Sequence, residues 1–193
     1  MLRVINYRTS IKALILLGAV MLTGCITVPD SVKGTSPTPV QDLLSVKSTP
    51  ELFIGQEGRF GGKVLGVVNE NHRTRLEISS LPLASDASPE LHEPSLGRIY
   101  AYVNDFLDPD DFKGNYVTIV GPIVGLKKGK IGCADYDYVV INAMGYQRWK
   151  VVQRVLMPYG PGPWNYYGYP YYSGWGWNWY YPAPAPVETI LTR

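Results

Sequence analysis

The run RFGGKVLGVVNENHRTRLEISS, residues 59–80, decides the fold class. In its first half the even positions are Phe60, Gly62, Val64, Gly66 and Val68. In its second half Thr74, Leu76 and Ile78 alternate with Arg73, Arg75, Glu77 and Ser79. A period of two places alternate side chains on opposite faces, which is the pattern of half-buried strands. Asn69-Glu70-Asn71-His72 between the halves supplies a hairpin loop. Gly61, Gly62 and Gly66 let the first strand coil and serve two faces.

Further along, Arg98–Val103 sets Ile99, Ala101 and Val103 opposite Arg98, Tyr100 and Tyr102, a third strand. Tyr116–Val124 is a fourth, Lys127-Lys128-Gly129-Lys130 reads as a turn, and Tyr138–Ala143 and Tyr146–Val152 are two more strands. Between the third and fourth, Asp108 can cap a short helix, Pro109 suits its first position and Gly114 can end it. Val40 to Lys47 allows one or two helical turns, with Leu43, Leu44 and Lys47 near one face. No long segment has a helical period. The expectation is an all-β fold in which Val64, Leu76, Ile78, Ile99 and Ile119 are buried. The order of strands and helix matches a small OB-like Greek-key barrel, with a β-sandwich as the competitor.

The chain has 193 residues, 46% hydrophobic and 18% charged, enough apolar material for one domain with appendages. Arg3, Arg8 and Lys12 precede a ten-residue apolar run, Ala13 to Leu22. That run is half of the about 20 residues a membrane-crossing helix needs, and it fits a secretory signal peptide. Leu22-Thr23-Gly24-Cys25 follows, and this tetrapeptide is similar to the lipobox of bacterial lipoproteins. There the cysteine sulfur takes a diacylglyceryl group and the peptide is cut before that cysteine. The resemblance implies lipidation at Cys25 and signal peptidase recognition through Leu22, Thr23 and Gly24. Residue 26 is Ile where Asp in this class favours retention in the inner membrane, which implies the outer membrane. Without residues 1–24 the chain carries 15 basic against 16 acidic residues, so the formal +2 of the whole belongs to the leader.

The chain divides into a signal peptide at 1–24, a lipidated cysteine and linker at 25–46, a β-barrel domain at 47–154 and a tail at 155–193. Residues 26–39 hold three Pro among Thr, Ser, Lys and Asp and read as a tether. Met157 to Pro186 carries twelve Tyr or Trp residues and no Asp, Glu, Lys, Arg or His. Its Gly and Pro density excludes a regular helix. Three readings stay open for it: contact with the membrane interface, stacking on envelope glycan, or a tail that wraps the barrel's open face or stays disordered.

The sequence resembles the Slp family of outer-membrane lipoproteins, named for starvation induction. The resemblance is carried by Leu22–Cys25, Val28–Gly34, the GQ-x-x-RFGGKV run of Gly55–Val64, Leu76–Ile78 with Leu81–Leu83, Gly97-Arg98, Phe106–Pro109, Val117–Gly121 and the aromatic tail. It implies an acylated protein of the bacterial outer membrane with a structural or envelope-stress role, no catalytic residues and no cofactor. Acylated Cys25 is the one functional position it brings.

Little in the chain suggests reaction chemistry. His72 and His92 sit among loop-forming residues, and His92 lies between Glu90 and Glu93 without metal-ligand spacing. Cys133, the second cysteine, reads as a small buried residue. Asp108, Asp110 and Asp111 lack the twelve-residue loop pattern of a calcium site. No catalytic, metal or cofactor residues are assigned. A binding module for envelope glycan or a small ligand, using an OB-like face and the tail, is the alternative function. A slightly acidic chain outside the cytoplasm does not suit nucleic acid.

Overall fold

A computed structural model describes residues 27–155 and 187–193. The chain is all-β. Its strands are β1 (Glu57–Glu70), β2 (Arg73–Leu81), β3 (Gly97–Val103), β4 (Tyr116–Ile131), β5 (Ala134–Ala143), β6 (Gly145–Val155) and β7 (Val187–Thr192). Two short helices accompany them, α1 (Leu43–Ser48) and α2 (Pro109–Phe112). The sheet runs β1-β2-β3-β5-β4-β6-β7, and β1 also pairs with β4. That extra pairing closes five strands into a ring. All neighbours in it are antiparallel except β3 and β5.

β1 serves both edges of the closure. Residues 57–63 pair with β4 and residues 61–70 with β2. The overlap falls on Gly61, Gly62 and Lys63, and a bulge follows between Val64 and Gly66. At Gly62 a Cβ would run into the Ser79 carbonyl of the neighbouring strand, so only glycine lets the two backbones come this close.

Alternation fills the ring. Phe60, Val64, Leu76, Ile78, Ile99, Ala101, Val117, Ile119, Val139 and Ile141 form one buried cluster, including all five positions expected in the core. Leu43 and Val46 of α1 join it, as do Leu107 and Phe112 at α2. Asp42 caps α1 by accepting from the Leu44 and Ser45 amides, and Asp108 caps α2 by accepting from Asp110 N. Gly114 follows α2 with φ of 83°.

Several expectations need correction. Lys127–Lys130 is not a turn. It continues β4 against Asp135–Tyr138, and the chain turns at Gly132-Cys133. Cys133 is therefore exposed, not buried. The buried pair on α1 is Leu43 and Val46, three apart, while Leu44 is 58% exposed. Residues from Val28 to Val46 do not hang free. Val32 is buried with Ala87 and Val120, and Val40 bridges Gly58. The last residues are not an appendage of one kind, because Val187–Thr192 is a strand paired along β6.

Two side chains hold the N-terminal segment. The Arg59 guanidinium is buried and donates to the Val32 carbonyl at 2.7 Å and the Lys33 carbonyl at 2.6 Å. The Glu57 carboxylate accepts from Thr35 N, the Thr35 hydroxyl and Ser36 N, all within 3.0 Å. Burial opposes ionisation of Glu57, but these donors and the Arg59 charge outweigh it and hold the carboxyl below its ordinary value.

Candidate functional site

A structured polar surface is formed by the outer face of β2, β3 and β5. Strand alternation builds it. With Leu76, Ile78, Ile99 and Ala101 inside, Arg73, Arg75 and Glu77 of β2 point outward beside Arg98, Tyr100 and Tyr102 of β3. The long β4–β5 hairpin adds Lys127, Tyr136 and Tyr138.

The tyrosines form a connected layer. Tyr100 and Tyr138 stack with centroids 4.0 Å apart and planes 9° from parallel, and Tyr136 meets Tyr138 edge-on at 4.9 Å. Cations lie over the rings: Arg73 over Tyr102 at 4.2 Å, Arg75 over Tyr100 at 4.9 Å, and Lys47 over Tyr136 at 4.2 Å. Lys127 Nζ donates to the Tyr102 hydroxyl at 3.0 Å, and Lys47 Nζ and Arg98 N both donate to the Tyr136 hydroxyl. Tyr138 is fully buried in this layer. Burial first, then the neighbouring Tyr100 hydroxyl and Glu77 carboxylate, push its phenol up to about 12.

Charge on this face is unbalanced. Arg73, Arg75, Arg98, Lys127 and Lys47 meet two acids, Glu70 and Glu77. Arg73 pairs with Glu70 and Arg98 with Glu77, each at 2.8 Å. The Glu77 hydrogen bond, acting against desolvation, raises the Arg98 pKa further. Arg75 stands 3.9 Å from Glu70, and no hydrogen bond from its side chain is found among the described residues. Its planar fork of donors is thus open to an acceptor from outside, and carboxylate or phosphate fits that geometry.

The residues singled out in the sequence are placed differently. Leu22, Thr23, Gly24 and Cys25 lie outside the described residues, as does Met157 to Pro186. His72 is exposed at the β1–β2 turn and His92 is exposed in the loop before β3. Asp111 pairs with Arg148 at 2.6 Å. Among the described residues no group of three or more His, Cys, Asp or Glu is placed to hold a metal ion. A concavity of about 620 Å³ lies elsewhere, lined by residues of the Thr27–Pro37 segment with Arg59 and Arg193. Sequence reading recorded Arg98, Tyr100 and Tyr102 as the outward side of a strand but did not join them to Tyr136 and Tyr138. The signal was the shared alternation of three strands, which the β3–β5 pairing brings side by side.

A closed all-β ring with a packed interior and a layered aromatic outer face defines a small β domain. No helix among the described residues is long and apolar enough to cross a membrane. The chain belongs to the outer membrane lipoprotein Slp family, whose pattern it matches over residues 22–182. Its place is the bacterial outer membrane, where it is held as a lipoprotein. It is 57% identical over 156 residues to the uncharacterized lipoprotein YeaY of Escherichia coli K12, covering 79% of this chain and 81% of that one. It is 38% identical to the outer membrane protein Slp of the same organism, covering 83% and 90%. An uncharacterized protein of Haemophilus influenzae is 35% identical, covering 66% and 70%. A solved Schizosaccharomyces pombe Pot1pC bound to single-stranded DNA aligns at 13% identity, over 49% of this chain and 79% of that one. Its TM-score of 0.25 is too low to carry an argument.

Proposed function

We propose that this protein is a non-enzymatic structural or envelope-stress lipoprotein, acylated at Cys25, whose domain is an OB-like Greek-key barrel. The observation that carries the reading is the family match beginning at Leu22, directly ahead of Cys25. The ring order, with its antiparallel neighbours and single parallel β3–β5 contact, supports the OB assignment. The packed apolar interior supports a scaffold reading. Several acyl chains at ~0.8 kcal/mol per buried CH₂ make such an anchor effectively permanent. Cys25→Ser tests the anchor. The expected result is a precursor that retains its leader and lacks the acyl mass. A Cys25→Ser protein processed and partitioned like the wild type overturns the assignment.

A second reading is favoured by Arg75 and the tyrosine layer. In OB-type barrels the β2–β3 face and the loop between β4 and β5 are where oligosaccharides and oligonucleotides bind. Four cations over tyrosine rings on that face suit a carboxylate- or phosphate-bearing envelope glycan. Salt-sensitive retention on immobilised anionic glycan, lost in Arg75→Gln, supports this. Equal retention of wild type and Arg75→Gln/Arg98→Gln overturns it.

A further inference from the structure

Strand β6 outruns the barrel. Gly145–Trp149 pair with β4, but from Lys150 to Val155 the strand pairs only with β7. The result is a two-stranded ribbon standing off the ring, and such a ribbon is marginal in water unless something covers it.

Its two faces differ. Directly opposed residues share a face, so Val151 with Leu191, Gln153 with Thr189 and Val155 with Val187 form one side. That side holds four aliphatic residues and no charge. The other side carries Lys150, Arg154 and Glu188 with Val152 and Ile190. The uncharged side is uncovered among the described residues: Val151 is 46%, Val155 51% and Val187 54% exposed.

Two further observations bear on what it faces. At the ribbon's base, the Arg193 side chain donates to the Thr27 carbonyl at 2.7 Å. Thr27 is two residues from Cys25, at most about 7 Å of extended chain. The ribbon is six pairs long, about 20 Å at ~3.3 Å per residue, so with its base beside Cys25 it can lie along the surface that holds the acyl chains. At its tip, Val155 and Val187 frame residues 156–186, whose Tyr and Trp side chains and lack of charge suit the interface between headgroups and hydrocarbon.

We propose that the uncharged face of the β6–β7 ribbon lies on the outer-membrane lipid surface, a second membrane contact beside the acyl anchor. It rests on acylation at Cys25, which sets the distance to the bilayer. The ribbon then acts as an interfacial element that inserts aliphatic side chains shallowly, about 5–10 Å deep, and orients the barrel on the membrane.

The test uses the full acylated chain in vesicles of phosphatidylethanolamine and phosphatidylglycerol, on a Cys133→Ser background. Single cysteines at Val155→Cys, Val187→Cys, Arg154→Cys and Glu188→Cys carry an environment-sensitive fluorophore. The vesicles contain lipid brominated near the headgroup end of the acyl chain. Labels at Val155 and Val187 are expected to shift to the blue and be quenched, while those at Arg154 and Glu188 stay solvent-like and unquenched. Blue-shifted labels without quenching mean that protein covers the face, whether residues 156–186 or a second copy, and overturn the proposal. So do four unquenched, solvent-like labels. A chain that floats with the vesicles but shows no quenching removes the ribbon contact alone. One that does not float at all removes the Cys25 reading with it.

Discussion

Glu57 shows how much one carboxylate can organise. It lies at the start of β1, yet its hydrogen bonds reach back 22 residues to Thr35. Gly34 makes the approach possible. Its φ of 73° is in the left-handed region, and a Cβ there would strike the Glu57 carboxylate. The depressed folded pKa of Glu57 carries a sign. Its contribution is present above about pH 4.5, the ordinary value, and is lost as pH falls through the lowered folded value. The protection of the Thr35 and Ser36 amides, their observed exchange relative to the intrinsic rate at each pH, should therefore fall in acid before the barrel melts. In Glu57→Gln these amides should exchange fast already at neutral pH. Equal protection in both proteins across the range would show that the segment is held by Arg59 and Val32 alone.

At the scale of elements, β1 is the one on which closure depends. It must pair with β2 and β4 over the same residues, and Gly62 sits where both neighbours press in. Gly62→Ala should cost about 1–3 kcal/mol, because the backbone of β2 has to move to admit a methyl group. Urea denaturation reads this directly. A wild-type midpoint would mean that the strands separate more easily than the register implies. The β4–β5 hairpin teaches a different lesson. Lys127–Lys130 has the composition of a turn, but charged side chains are at home on an exposed hairpin, so composition did not locate the bend. Gly132, with φ of 61°, did.

For the whole molecule, the ring and the ribbon are separable in the pairing pattern. Leu76 is fully buried in the ring's core, and Leu76→Ala should cost about 2–5 kcal/mol, measured by denaturant unfolding. Truncation after Arg154 removes β7 but none of the five strands that close the ring. It should leave the cooperative melting transition nearly unchanged in circular dichroism. Loss of that transition would make the C-terminal residues part of the folding unit.

The alternation of residues 59–80 and 98–103 was enough to establish the all-β class and the buried set Val64, Leu76, Ile78 and Ile99, since a period of two dictates which side chains share a face. Asp108, Pro109 and Gly114 likewise marked α2, because caps act within a few residues of the positions they satisfy. Longer-range arrangements could not be read this way. That β3 lies parallel to β5, so that Tyr100 stacks on Tyr138, follows from closure of the ring. That Val32 and Val46 are buried follows from surface the barrel offers only once it is closed. Arg59 finds two backbone carbonyls in a segment whose composition suggested a free tether. The ribbon has the same origin: Val155 and Val187 are neighbours because the chain returns along β6, and no local property of either residue records that return.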